Sequence, residues 1–251
     1  MNFITRLINW LIRQIDFIKF RIKNPLVPIV NPLTLGTYYS QEGQDLYLST
    51  LLFNEFEHSA GGYVVDVGCN HPEKYSNSKF FEKYFNCKTI AIDPIEEYRA
   101  LWKELRPDAI FVATALGKST STVSLSIPES GSVYDDMFSS ITGNNPKIGG
   151  ASCVQRDVPC VTLASVIETH RLDEITLLSI DVEGVELDVV EGIDFEKALI
   201  KCLIIENNTE NLFGSEKIRE FLRLKGYVFF SRIGFYDDVF LHKSLLQNAR
   251  P

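Results

Sequence analysis

The chain has 251 residues, 45% hydrophobic and 23% charged, a composition that excludes wholesale disorder. Lys and Arg number 25 against 33 Asp and Glu, a net charge of −8, which excludes broad attraction to nucleic-acid phosphate, so no nucleic-acid partner is expected. Five cysteines with no C-x-x-C pair argue against a disulfide framework or zinc knuckle, and a reducing cytoplasm is the simplest compartment.

Residues 1–37 read as a unit apart from 38–251. Ile4, Leu7, Ile8, Leu11, Ile12, Ile15, Ile18 and Ile22 recur at three- and four-residue steps and mark one apolar helix face. Arg6, Arg13, Lys19, Arg21 and Lys23 lie elsewhere on it. Arg13 and Asp16 interrupt the run, which is too short to span a membrane, and no signal-peptide cleavage site follows. The stripe either packs on the body or a second subunit, the favoured reading, or lies on a membrane surface. Pro25, Pro28 and Pro32 then impose an extended connector.

The main unit opens with Ser40-Gln41-Glu42-Gly43-Gln44-Asp45, where Ser40 is placed to cap a helix carrying Leu46, Leu48, Leu51, Leu52 and Phe53. Gln41 and Gln44 share a face, and their amides are candidates to reach a ligand. Next, Tyr63-Val64-Val65-Asp66-Val67-Gly68-Cys69-Asn70 reads as a buried strand that stops near a carboxylate and turns through Gly68. A glycine there offers a permissive backbone and no side chain to obstruct a ligand. After a helix with Phe80, Phe81, Tyr84 and Phe85, capped by Ser76 or Ser78, Ile90-Ala91-Ile92-Asp93-Pro94 repeats the strand-then-acid theme. One carboxylate at such a strand end suits both hydroxyls of a ribose.

A helix around 95–105 leads to a third strand, 109–116, ending at Gly117, and an alternating strand over 122–127 follows. Residues 128–152, rich in Ser, Gly and Asn, read as a functional loop offering Ser139, Ser140 and Thr142. A short helix through Ile167 precedes Ile175-Thr176-Leu177-Leu178-Ser179-Ile180-Asp181-Val182-Glu183-Gly184. Its two acids, two apart on an extended segment, would point one way. Leu203-Ile204-Ile205-Glu206 is a fourth strand ending in an acid. A helix over 216–225 and an antiparallel pair, 227–232 and 238–242, joined near Gly234, close the chain.

If the strands ending in Asp66, Asp93, Asp181 and Glu206 are parallel, their acids share one rim, where open α/β sheets bind ligands. Such a rim suits a cationic ligand rich in hydroxyls, and S-adenosylmethionine fits. A dinucleotide would call for G-x-G-x-x-G, which is missing here. No spacing demands a metal.

These pieces resemble the FkbM-type S-adenosylmethionine-dependent methyltransferases over about 38–242. The matching motifs are Ser40-Gln41-Glu42-Gly43-Gln44-Asp45, Val65-Asp66-Val67-Gly68-Cys69-Asn70, Ile92-Asp93-Pro94, Ala115-Leu116-Gly117 and Ser179-Ile180-Asp181-Val182-Glu183-Gly184. The resemblance implies a Rossmann-like α/β fold, with seven strands, mostly parallel, and helices on both faces. It implies O-methylation of carbohydrates or similar hydroxylated acceptors. It places Asp66, Gly68 and Asn70 at the methionine part of the cofactor and Asp93 at the ribose. Gln41, Gln44, Pro94, Ala115 and Leu116 complete the expected cofactor site. Asp181 and Glu183 match the acidic pair at the active-site rim and are the expected catalytic residues, with Asp181 also beside the cofactor. His71, Ser140, Glu183, Glu206 and His242 are the expected acceptor contacts. The motif departs from the family where Asn70-His71-Pro72 replaces N-x-G, so the loop that follows should take its own path. Two other readings compete: an NAD-linked oxidoreductase, and a non-catalytic interaction protein using the basic N-terminal helix.

Overall fold

The computed structural model describes residues 18–19, 22–23, 29–30, 39–55, 60–129, 139–141, 152–207 and 214–247. Most of the predicted N-terminal helix, and Thr142 with most of the 128–152 loop, lie outside these residues. Ile18, Lys19, Ile22 and Lys23 have helical backbone, and Ile18 and Ile22 are exposed.

Seven strands form the main sheet: β2 (Tyr63–Val67), β3 (Lys88–Asp93), β4 (Ile110–Ala113), β8 (Glu174–Ile180), β9 (Leu199–Glu206), β10 (Tyr227–Ile233) and β11 (Asp237–His242). Their spatial order is β10-β11-β9-β8-β2-β3-β4, and β1 (Ile29–Val30) adds a two-residue parallel edge to β10. Only β11 runs against its neighbours in this sheet. The fold is thus the Rossmann-like α/β arrangement expected, with the antiparallel C-terminal pair.

The sheet is buried on both faces because strand positions alternate between two apolar cores. On one face Val65, Leu203, Ile205 and Phe240 pack against α4 (Leu163–His170), α5 (Glu186–Glu191) and α6 (Glu216–Leu224). On the other, Val64, Cys202, Ile204 and Val239 meet α1 (Gln44–Ser49), its π-helical continuation Thr50–Glu55, and α2 (Lys79–Phe85). There Trp102 of α3 (Tyr98–Leu105) packs on Ala91 and Cys69. Helix α7 (Lys243–Gln247) ends the described chain. All five cysteines are free, and no described helix is long and apolar enough to cross a membrane.

Two expectations along the chain are corrected. The single strand over 109–116 divides at Thr114, whose hydroxyl donates to the carbonyls of Ala115 and Pro159. Residues beyond it, β5 (Ala115–Leu116), join a second sheet of order β5-β7-β6, with β6 (Ser121–Pro128) and β7 (Cys153–Val161). Strand β7 has no clear strand signature, because Cys153-Val154-Gln155-Arg156-Asp157-Val158-Pro159 mixes polar residues with a proline. It is held as a full antiparallel partner of β6 from Ser121↔Cys160 to Pro128↔Cys153. At α1, the cap position belongs to Gly43 (φ 79°) instead of Ser40. Ser40 and Asp45 instead pair with each other: the hydroxyl donates to Oδ1 at 2.8 Å and accepts from the Asp45 N–H at 3.2 Å.

Candidate active site

Strands β9, β8, β2 and β3 are adjacent and parallel, so Glu206, Asp181, Asp66 and Asp93 do reach one rim. The rim is divided into two compartments. A cavity of about 510 Å³ is lined by Gln41, Glu42, Gln44, Asp66, Lys74, Tyr75, Asn77, Glu206, Tyr236 and Asp237, among others. A smaller, mostly apolar pocket is walled by Ile92, Asp93, Pro94, Ile95, Thr114, Ala115, Leu116, Leu125, Ser139 and Ile141, with the second sheet as its outer side. Gly68, Asn70, Asp181 and Glu183 line both compartments and mark their junction.

Local backbone geometry builds that junction. Gly68 has φ 78°, and a Cβ there would lie 1.7 Å from the carbonyl oxygen of Asp181. The glycine is therefore required by the approach of the β8 exit, a reason other than the ligand clearance expected of it. Asn70 also takes positive φ (42°), and its N–H donates to Asp93 Oδ2 at 3.0 Å, while the Ile95 N–H donates to Oδ1 at 2.9 Å. Asp93 thus latches the first turn as well as lining the small pocket. Asp181 and Glu183 converge as expected but not by strand pleating: β8 ends at Ile180, and Glu183 (φ 57°) and Gly184 turn back before α5. The carboxylate oxygens of Asp181, Glu183 and Glu206 lie within 4.8 Å of one another, close enough to share one cation, metallic or organic.

Carboxylates dominate the large cavity: Glu42, Asp66, Asp181, Glu183, Glu206 and Asp237 share its lining with Lys74, its sole described cation. Burial raises the Asp66 carboxyl above its ordinary range, opposed by hydrogen bonding from Ser78 and by the charge of Arg106. Its Oδ2 is buried without a hydrogen-bond partner. Asp237, which sequence reasoning did not single out, stands directly opposite Glu206 across β11 and β9 and accepts from Gln44 Nε2 at 3.0 Å. Burial pushes it up to about 7, and the Glu206 charge adds to this against the Gln44 hydrogen bond and the Arg232 charge. Burial likewise lifts Glu186 to about 7; its Oε1 accepts from the Gly184 N–H at 2.9 Å.

Both values lie above the unfolded carboxylate range, so between about pH 4 and about pH 7 the folded chain holds more protons than the unfolded one. The contribution of these two groups to stability is then greatest below this window and falls as pH rises through it. Asp237→Asn, uncharged throughout, is expected to flatten this decline. Thermal midpoints followed from about pH 5 to about pH 8 should drop less in the variant than in the parent. Parallel curves would contradict the burial of a titrating Asp237.

Other expected site residues are placed elsewhere. His242 lies at the far end of β11, opposite Tyr227, because the antiparallel strand brings its first residue to the rim and carries its last away. Its Nδ1 shares a hydrogen bond with Ser244. His71 lines neither compartment; its Nδ1 accepts the N–H groups of Glu73 and Lys74 at 3.1 Å each and so shapes the loop. Ser140 is buried and bridged by its backbone to Ser126, while its neighbours Ser139 and Ile141 line the small pocket. Gln41 and Gln44, expected beside the cofactor, line only the large cavity.

The sequence matches the family model described as the methyltransferase FkbM domain over residues 66–229, more than half of the chain. A search of curated proteins and one of solved structures find no match. The matched region contains the junction and the small pocket, while Gln44 and Asp237 fall outside it. The chain belongs to the FkbM methyltransferase family.

Proposed function

We propose that this methyltransferase uses S-adenosylmethionine and transfers the methyl group to a hydroxyl of a carbohydrate or a similar hydroxylated molecule. The observation that carries the reading is the division of the acidic rim into a small apolar pocket and a large polar cavity meeting at Gly68, Asn70, Asp181 and Glu183. The donor chemistry fits these residues. Ile92, Ile95, Leu116 and Leu125 offer apolar walls to a flat base, and Asp93 offers a carboxylate to a diol. The buried Asp66 Oδ2 lacks a donor that an ammonium group would supply. When bound, the donor supplies an electrophilic methyl on a sulfonium.

The remaining steps belong to this chain. Holding an acceptor hydroxyl in line with the methyl contributes on the order of 7–11 kcal/mol through positioning alone. A hydroxyl is a weak nucleophile, so a carboxylate taking its proton adds roughly 10²–10⁴-fold. Asp181 and Glu183 at the junction, with Glu206 and Asp237 deeper in the cavity, are the groups available for this. Tyr75 and Tyr236 are 45% and 44% exposed on the cavity lining, flat amphipathic faces suited to a sugar ring beside carboxylates that accept from its hydroxyls.

Calorimetric titration with S-adenosylhomocysteine tests the donor assignment. The parent protein should bind it, and Asp93→Ala should weaken binding on the order of a hundredfold, since a charge-assisted contact and the latch on Asn70 are lost together. A well-folded protein that does not bind it refutes the proposal.

A further inference from the structure

Arg106 follows α3 in Leu105-Arg106-Pro107, a place where the sequence reads as an exposed helix end. It is instead 2% exposed. Its guanidinium lies 4.6 Å over the Trp102 ring and donates to the Pro72 carbonyl (3.1 Å), Ser76 Oγ (3.1 Å), Ser78 Oγ (3.0 Å), Thr89 Oγ1 (2.8 Å) and Glu82 Oε2 (2.6 Å). Three of these five acceptors belong to the 70–78 loop, the segment that departs from the family motif. Trp102 joins in from the same helix, its indole N–H donating to the Asn70 carbonyl at 2.8 Å. Between these anchors the loop carries two residues at positive φ, Asn70 (42°) and Tyr75 (56°), a strain that persists only where surroundings over-determine the backbone. The same loop gives Lys74, Tyr75 and Asn77 to the large cavity.

We infer that Arg106, although it lines neither compartment, is the positioning residue that sets the 70–78 loop and, through it, the end of the large cavity that receives the amino-acid part of the methyl donor. This rests on the donor reading proposed above. The route runs through Ser78. This serine occupies the N-cap position of α2, yet its side chain makes no capping hydrogen bond. The hydroxyl accepts from Arg106 and shares a hydrogen bond with Ser76, and it helps hold down the carboxyl of Asp66, whose Oδ2 faces no donor. Arg106 thus fixes the Ser78 hydroxyl, and its charge favours the ionised Asp66 carboxylate a cationic ligand needs. A guanidinium suits the task because its planar fork serves several acceptors in fixed directions, which an ammonium cannot do.

The test compares two probes by calorimetry on the full chain: S-adenosylhomocysteine, and 5′-methylthioadenosine, which lacks the amino-acid end. Variants are Arg106→Lys and the milder Ser78→Ala, with thermal midpoints recorded in parallel. The expected result is a loss of roughly tenfold or more in affinity for S-adenosylhomocysteine, with 5′-methylthioadenosine unchanged within about twofold. Unchanged affinity for both probes, or a proportional loss for both, overturns the positioning role. Failure of the parent protein to bind either probe refutes the donor reading beneath it.

Discussion

Replacing Gly68 with alanine is expected to abolish the proposed binding of S-adenosylhomocysteine and to destabilise the fold by ~3 kcal/mol or more. The new Cβ would stand 1.7 Å from the Asp181 carbonyl oxygen and 2.8 Å from its carbon. Both are backbone atoms, so no rotamer change relieves the clash, and the exits of β2 and β8 must move apart. That motion would separate Asp66 from Asp181 and open the junction between the compartments. Positive φ at residue 68 adds roughly 1–2 kcal/mol of strain for a non-glycine. Gly61→Ala is an internal control: its φ is +99°, yet nothing lies within 4 Å of an added Cβ. Denaturant midpoints of the two variants separate the steric cost from the dihedral cost. Equal midpoints would mean that the approach of Asp181 does not constrain residue 68.

Asp238→Ala should produce the largest loss of stability from a single side chain, about 3–5 kcal/mol, because it strands buried positive charge. Asp238 and Arg232 are 0% exposed and Arg219 is 6% exposed. Asp238 accepts from Arg219 Nε at 2.7 Å and Nη2 at 3.1 Å, from Asn207 Nδ2 at 2.7 Å, and from Arg232 Nη1. Arg232 also donates to the carbonyls of Asn207 and Phe235. This network ties the exit of β9 to the turn between β10 and β11, which presents Tyr236 and Asp237 to the cavity. A loss below about 1 kcal/mol in equilibrium unfolding would mean that the arginines find other partners. Under the proposed assignment the variant should also weaken acceptor binding more than donor binding, since Tyr236 and Asp237 line the large cavity and not the small pocket.

The pattern of strand followed by acid was legible from local composition alone. Runs such as Val64-Val65 and Leu203-Ile204-Ile205 are buried on both faces, as strands of a sheet covered by helices on each side must be. The family motifs then pointed to residues of one rim, and Asp66, Gly68, Asn70, Asp93, Asp181 and Glu183 all line its two compartments. Positions whose role depends on strand direction were not legible. Asp237 begins its strand and His242 ends it, so a rule that looks to the ends of strands passes over the first and selects the second. Their places are reversed only because β11 runs antiparallel between β9 and β10. A one-residue difference in facing put Ser139 and Ile141 at the pocket and Ser140 away from it, as alternation along an extended segment requires.

Arg106 shows the same limit at longer range. Its partners come from the 72–78 loop, α2 and β3, so no window of sequence contains its environment. By itself the sequence determined the layered α/β architecture, the acidic rim and the family, because these follow from local pattern and short motifs. Tertiary structure alone decided how the rim divides into two compartments, which acids share the larger one, and which buried charges hold its walls. Those outcomes depend on distances between segments far apart in the chain, and only the packed sheet sets them.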